Sequence, residues 1–391
     1  MTKCISVVCS ALIFCALSVV SVAHAQNSQL DLEWTNDFAN DVRLKAERLN
    51  VPGFVFVVIE KGQTAKFYTY GRTERGGNKV DIDTVFRLAS VSKTFTAALV
   101  ASENQVGSSL TWQTPIKELT PEHSYDNYEN KPILLRHVVG QSAGFMRNAY
   151  DNLIEANYSP KRVLGKFDEL KPLCQPGYCY TYQNALFGVI DEHLKQQGSS
   201  FAEKMQSLFF TPLKMNASVG KAGLESSNNW AKPHVAVRKN RWAKVRVKDT
   251  YYNFSPAAGV NASAKDMSVW LRAMLLEHPD VVNREMITEM TLPRVQTRAE
   301  FRKRGWREHL RSAHYGLGWR VYDFKGIDLN YHGGWVQGYR ANVAFSQELG
   351  VGFAFLMNAE SNLINQVTAD FWVKLIEQNK PNIATNRLSA E

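Results

Sequence analysis

A chain of 391 residues, 45% apolar and 11% aromatic, can bury a large core in one big domain or two interleaved ones, which excludes a disordered or fibrous class. The balance is basic, 46 Lys and Arg against 37 Asp and Glu for a net charge of +9, so an anionic partner is expected. Five cysteines are too few for a disulfide-dense scaffold.

Lys3, an apolar run over about 4–22 and the small residues Ala23 and Ala25 around His24 make a secretory signal, with cleavage expected before Gln26. The run approaches spanning length, so a retained anchor is the alternative reading. Phe14 before Cys15 argues against a lipoprotein. Export excludes nucleic acid as the partner and leaves acidic wall polymers or an anionic membrane surface. No later segment is long and apolar enough to span, so no stable membrane insertion is expected once the signal is removed.

Helical periodicity over 34–49 ends before Pro52, and 54–59 reads as a buried strand turned at Lys61-Gly62 into a second strand at 66–70. A polar loop over 72–83 leads to a helix around 86–99. Helical segments broken by Pro and Gly follow at 132–139, 185–195, 201–210 and 265–276. Basic residues concentrate at 238–248, where Lys244, Arg246 and Lys248 alternate with apolar residues, and at 302–311; both read as solvated faces. Strands return at 315–322, 340–345 and 351–357, with a closing helix near 366–377. The expected fold is α/β (α+β): one antiparallel sheet built from both termini, 26–85 and 300–391, flanked by helices, with 86–299 as an inserted, mostly helical lobe. A cleft between the two is where a ligand site is expected.

Three cysteines lie in the leader, and the mature chain keeps Cys174 and Cys179, which in an exported protein are expected to form a disulfide. So short a loop removes little unfolded-state entropy, about 2 kcal/mol. Its expected role is to shape the segment before Tyr182. Two cysteines do not make a structural zinc site, and no metal or cofactor motif is present.

The chemistry gathers at Ser90 and Lys93. A serine three residues before a lysine on a helix puts hydroxyl and amine on one face. A desolvated lysine can lose its proton and activate the alcohol, and free amides at a helix start favour the negative charge of acyl transfer. The pattern alone is weak, since Ser218 and Lys221 repeat it. A proton route is offered by Tyr182, a phenol expected to be lowered toward neutrality by nearby cations, with Asn184 to hold lysine and substrate. Tyr125, Tyr128, Tyr150 and Tyr251 also have Asn two residues on, but only Tyr182 follows a Pro-Gly turn and opens a helical run. The third element is His332-Gly333-Gly334-Trp335, whose glycines admit substrate close to the backbone. The Trp335 amide can pair with that of Ser90 as an oxyanion hole.

In this order the three elements resemble the class C beta-lactamase and penicillin-binding serine hydrolase superfamily, with its Ser-x-x-Lys, Tyr-x-Asn and Lys/His-x-Gly motifs. The segments 134–145, 211–215 (Thr-Pro-Leu-Lys-Met) and 315–319 (Tyr-Gly-Leu-Gly-Trp) extend the resemblance to about 33–380. It implies an exported serine hydrolase acting through acyl-Ser90, with Lys93 and Tyr182 sharing the proton work. Asn184, His332, Gly333, Gly334 and Trp335 would bind substrate, a small molecule or peptidoglycan-derived peptide, without a cofactor. His332-Gly333 replaces the family's usual Lys-Thr, so carboxylate anchoring is expected to be weak and small neutral esters to be favoured over beta-lactams. A true class C beta-lactamase or DD-peptidase remains an alternative within enzymes. A non-catalytic penicillin or wall-peptide sensor is the alternative outside them.

Overall fold

In the sequence Phe54-Val55-Phe56-Val57-Val58-Ile59 every position is apolar, the pattern of a strand covered on both faces. The computed structural model describes residues 30–125 and 128–383; the signal segment with its three cysteines lies outside them. Helix α1 (Thr35–Arg48) leads into β1 (Gly53–Glu60) and β2 (Lys66–Gly71). Phe54, Phe56 and Val58 face one apolar cluster, and Val55, Val57 and Ile59 face another.

Between β2 and the C-terminal strands lie α2 (Ser92–Gln105), α3 (Gly188–Gln196) and α4 (Ala264–Met274), with shorter helical turns. A small sheet of Phe86–Arg87, Val260–Ala262 and Ser218–Val219 and a hairpin of His234–Arg238 and Arg241–Lys244 also lie in this stretch. The chain then returns through β3 (Val295–Gln296), β4 (Leu310–Tyr315), β5 (Arg320–Phe324), β6 (Ile327–Val336), β7 (Tyr339–Ser346) and β8 (Val351–Met357), and ends in α5 (Leu363–Gln378). These strands form one antiparallel sheet in the order β2-β1-β8-β7-β6-β5-β4-β3. Both ends of the chain therefore build the sheet, as expected, with Val57 opposite Ala354 joining them. Helix α5 packs on one face, with α1 against it, and α4 packs on the other.

Four expectations need correction. The strand expected over 315–322 is broken: β4 ends at Tyr315 and β5 begins at Arg320. Gly318, at φ 72°, seats the corner on α2 so closely that a Cβ there would stand 2.5 Å from the Lys93 carbonyl and 2.6 Å from Ala97. Close approach to the helix, which strand propensity does not encode, decides this backbone. The strand carrying Lys244 ends there, and Arg246 and Lys248 follow on a loop that lines the cleft described below. The helices expected over 132–139 and 201–210 are shorter, Leu135–Val139 and Phe201–Met205, the second continued by a π-helical turn over Gln206–Phe210. Among the described residues no helix is long and apolar enough to cross a membrane.

Candidate active site

Ser90 sits in a single turn, Ala89–Val91, that runs directly into α2. Ala89 is held at φ 50°, a left-handed conformation that costs a non-glycine residue free energy and that its full burial enforces. The helix is fixed from one side by the segment 255–260. The Ser92 hydroxyl accepts from the Val260 N–H at 2.9 Å, and Thr96 donates to the Pro256 carbonyl at 2.6 Å. Between them the fully buried Lys93 donates to the Ala257 carbonyl at 3.0 Å and to Asn184 Oδ1 at 2.8 Å, with its Nζ 3.4 Å from Ser90 Oγ. Burial strips water from the ammonium and, with a smaller push from Arg320, brings the Lys93 pKa down from 10.5 to about 7. A lysine lowered this far can supply the free base at neutral pH, and it lies within reach of the serine proton.

Tyr182 comes to the same place, its ring 4.9 Å from Lys93 Nζ. Its segment is held by Gln141, whose amide exchanges two hydrogen bonds with the Gln183 backbone, at 2.6 and 3.1 Å. The expected lowering of the phenol does not occur. Burial outweighs Arg320 and a hydrogen bond with Ser90, and the Tyr182 pKa is raised. At neutral pH Tyr182 therefore keeps its proton, and Lys93 is the group able to accept one. Cys174 and Cys179 are disulfide-bonded just before it. The loop they close is pinned by the Gly177 N–H to the Ser142 carbonyl at 2.8 Å, and the residue before it by the Leu173 N–H to the Gly144 carbonyl at 2.7 Å.

Asn184 faces Lys93 through its oxygen because its Nδ2 donates to Asp151 Oδ2 at 2.9 Å. A carboxylate only accepts, so Asp151 dictates which way the amide points. Burial raises Asp151 to about 6 in spite of Asn184 and Lys93. Nothing in the spacing of Asp151 from the three motifs marks it in the sequence, and it was missed.

His332 departs from its expected role. Its side chain is fully buried and lies behind the cleft wall. Nδ1 donates to the Gly333 carbonyl at 3.0 Å, and Nε2 accepts from the Tyr315 hydroxyl at 2.9 Å. Burial, Arg320 and Lys93 all keep the ring neutral, well below its ordinary pKa. His332 thus props β6 and is not among the residues lining the cleft. The next three residues do face the cleft. A Cβ on Gly334 would stand 2.2 Å from the Leu88 carbonyl and 3.1 Å from the Ser90 nitrogen, so only glycine lets β6 lie against the nucleophile turn. A Cβ on Gly333 would meet the Tyr331 hydroxyl at 2.5 Å. Trp335 is 61% exposed, donates from its indole to Glu360 at 3.0 Å and stacks 4.7 Å under Arg340, forming the outer wall.

Ser90, Tyr182, Asn184, Gly333, Gly334 and Trp335 line one cleft of about 720 Å³, in the size range of ligand sites. Pairing of β5 with β6 ends at Arg320 opposite Tyr331, and β6 runs on along the cleft beyond that point. Arg320 reaches back to Glu300 at 3.2 Å and Lys303 to the same carboxylate at 2.5 Å. Although burial opposes it, these two cations hold Glu300 at about 2. The basic stretches read as solvated surface therefore contribute Arg246, Lys248 and Lys303 to the cleft. The alternative motifs lie elsewhere or serve structure: Lys221 pairs with Asp249 at 3.4 Å, Tyr125 is buried against Thr120, and the Tyr150 hydroxyl caps the Lys166 carbonyl. Tyr251 is the exception and joins the cleft beside Asp151. Among the described residues no cluster of His, Cys, Asp and Glu is able to hold a metal ion.

Residues 38–374 match the Beta-lactamase family model. The chain belongs to the beta-lactamase family. Its relatives carry hydrolase names. An unguisins hydrolase of Aspergillus campestris is 22% identical over 90% of this chain and 66% of its own length. A beta-lactamase of Yersinia enterocolitica is 26% identical over 49% of this chain and 48% of its own. A beta-lactamase of Escherichia coli strain K12 is 27% identical over 71% and 68%. The chain thus spans less than two thirds of the first two relatives. In fold it resembles the octameric penicillin-binding protein homologue from Pyrococcus abyssi, with a TM-score of 0.78, 18% identity, and coverage of 88% of this chain and 78% of that one. This beta-lactamase-family chain thus has the mixed antiparallel-sheet fold that the family motifs implied.

Proposed function

We propose that this chain is an exported serine hydrolase that cleaves an ester or amide through an acyl-Ser90 intermediate. The observation that carries the reading is the buried Lys93 amine, brought to about 7 and held 3.4 Å from Ser90 Oγ. In its neutral form Lys93 takes the Ser90 proton as Oγ attacks the acyl carbon. The resulting oxyanion is held by the N–H groups of Ser90 and Trp335, the latter next to Gly334, whose close seat against the Ser90 turn supports the pairing. Tyr182, still protonated, donates to the leaving group as the carbon–heteroatom bond breaks and recovers its proton from Lys93. Water then attacks the acyl-enzyme with Lys93 as base, releasing the acid and restoring Ser90. Asn184 and Asp151 hold Lys93 in line throughout. Relatives named beta-lactamase, D-aminopeptidase and unguisins hydrolase support acyl cleavage as the reaction type.

A panel of nitrocefin, p-nitrophenyl esters, D-alanyl peptides and D-amino acid amides tests the proposal on the mature protein. Turnover of at least one, lost in Ser90→Ala, is expected. Labelling by a fluorophosphonate without turnover of any would replace the enzyme with the sensor reading.

A further inference from the structure

From residue 226 to 248 the chain carries seven Lys and Arg and no Asp or Glu. Three of the seven crowd the tip of the hairpin His234–Arg238 and Arg241–Lys244. Arg238 stands directly opposite Arg241 across the strand pair, with Lys239 in the turn between them and Asn240, at φ 54°, closing it. Like charges directly opposite one another destabilise a strand pair, and here no acidic neighbour relieves them. Lys244 pairs with Glu74 at 2.6 Å, but Arg238, Lys239 and Arg241, all exposed, form no ion pair among the described residues. Arg48, also exposed and without an ion pair, ends α1 where the tip docks. The tip is nevertheless held in place. Trp242 donates from its indole to the Leu49 carbonyl at 3.0 Å, Asn240 donates to the Arg48 carbonyl at 3.0 Å, and Asn50 donates to the Asn240 carbonyl at 3.2 Å. Two strands alone are marginally stable in water, so this seat on the end of α1 is what keeps the charges together. A bulge breaks the register between Ala236 and Arg238 and leaves Val237 56% exposed at the same tip.

We propose that this hairpin tip docks the protein on an anionic membrane surface, with Arg238, Lys239, Arg241 and Arg48 facing the headgroups and Val237 dipping among them. The docking goes beyond the hydrolase reading and does not depend on it. The negative headgroup layer supplies the counter-charge that the tip lacks and relieves the repulsion between Arg238 and Arg241. A linear polyanion is gripped in a charged groove that tracks its backbone, whereas residues 234–244 line no part of the cleft and end in an exposed turn. Cations around one exposed aliphatic side chain on a convex tip suit a flat interface. The contact is peripheral, and no described helix is long and apolar enough to cross the bilayer. The same segment runs on as the loop that carries Arg246 and Lys248 to the cleft, so the docking surface and the cleft are joined by a short stretch of chain.

The test is co-sedimentation of the mature protein with vesicles of phosphatidylcholine mixed with phosphatidylglycerol, compared with vesicles of phosphatidylcholine alone. Binding to the mixed vesicles only, erased by high salt, is expected. Each cation near the surface contributes about a fivefold factor in binding, so Arg238→Gln/Lys239→Gln/Arg241→Gln should weaken it about a hundredfold. The melting temperature of that variant should equal or exceed the wild type's, because the repulsion at the tip is gone, which separates lost docking from lost folding. Arg302→Gln/Arg304→Gln/Arg307→Gln removes the same charge from exposed positions in the other basic stretch and should leave vesicle binding nearly unchanged. Equal binding to both vesicle types, unchanged binding by the hairpin variant, or equal losses in the two triple variants would overturn the proposal. Binding of dextran sulfate that the hairpin variant loses, with no binding to either vesicle, would also overturn it and make a soluble polyanion the partner.

Discussion

Replacing Asp151 by Asn should move the pH profile of catalysis downward while lowering its plateau. Lys93 Nζ lies 2.8 Å from Asn184 Oδ1, and Asn184 Nδ2 lies 2.9 Å from Asp151 Oδ2. Adding the width of the amide puts the two charges about 7 Å apart, worth about 2 kcal/mol or 1.5 pH units at an effective dielectric of about 20. Solvent at the cleft mouth trims this to about one unit. Asp151, at about 6, is mostly ionised at pH 7 and supports the ammonium of Lys93, so its loss makes the free base available at lower pH. The acid limb of kcat/KM, expected near pH 7 in the wild type, should therefore shift down by about one unit. The plateau should fall about tenfold, because Asn at 151 no longer compels Asn184 to aim its oxygen at Lys93. The assay is the pH dependence of p-nitrophenyl ester hydrolysis by both proteins. A midpoint that stays in place or moves up would refute the reasoning, whatever happened to the rate.

Three further outcomes follow from the same geometry. Lys93→Met should lose at least about a hundredfold in rate, and its melting temperature relative to wild type should rise as pH falls from about 10 to 7. The sign comes from Lys93 having a folded pKa of about 7 against 10.5 for the free side chain. The unfolded chain binds the extra proton in that window, so wild-type stability drops as pH falls through it and the methionine variant escapes the loss; a constant difference would contradict this. Gly334→Ala should cost about a hundredfold in kcat/KM through displacement of the Ser90 turn, since the new Cβ meets the Leu88 carbonyl at 2.2 Å; unchanged kinetics would mean that β6 need not approach so closely. Cys174→Ser/Cys179→Ser should reduce activity more than it lowers the melting temperature, because the short loop stabilises by only about 2 kcal/mol but abuts the Tyr182 segment; the opposite ranking would make the bridge purely structural.

The sheet was legible because its strands are apolar at every position or end in clear turns: β8, Val351–Met357, is found where its composition puts it. The corner at Gly316–Trp319 was not, since its shape comes from contact with α2, far away in sequence. Ser90, Lys93, Tyr182 and Asn184 could be singled out because their chemistry is carried by local spacing, and the fold does bring them together. His332 is placed otherwise than its spacing suggested. Its identity suggested a ligand contact, whereas alternation along β6 turns it into the core and turns Gly333 and Trp335 toward the cleft. Asp151 and Gln141 act through partners distant in the chain, and no pattern in one sequence reports such pairings. Alternation at 244–248 suggested one wet strand face; the residues are wet, but the strand stops at Lys244 and a loop carries Arg246 and Lys248, both exposed, along the cleft.

The central claim is that Ser90 is the nucleophile, activated by its neighbour on α2. It is tested most directly by treating the mature protein with a fluorophosphonate, counting adducts by intact mass and mapping them by peptide mass spectrometry. One adduct per chain on the peptide containing Ser90, absent from a Ser90→Ala variant with an unchanged melting temperature, is the predicted result. Full labelling of that variant, or an adduct mapped to another residue of the wild type, would contradict it.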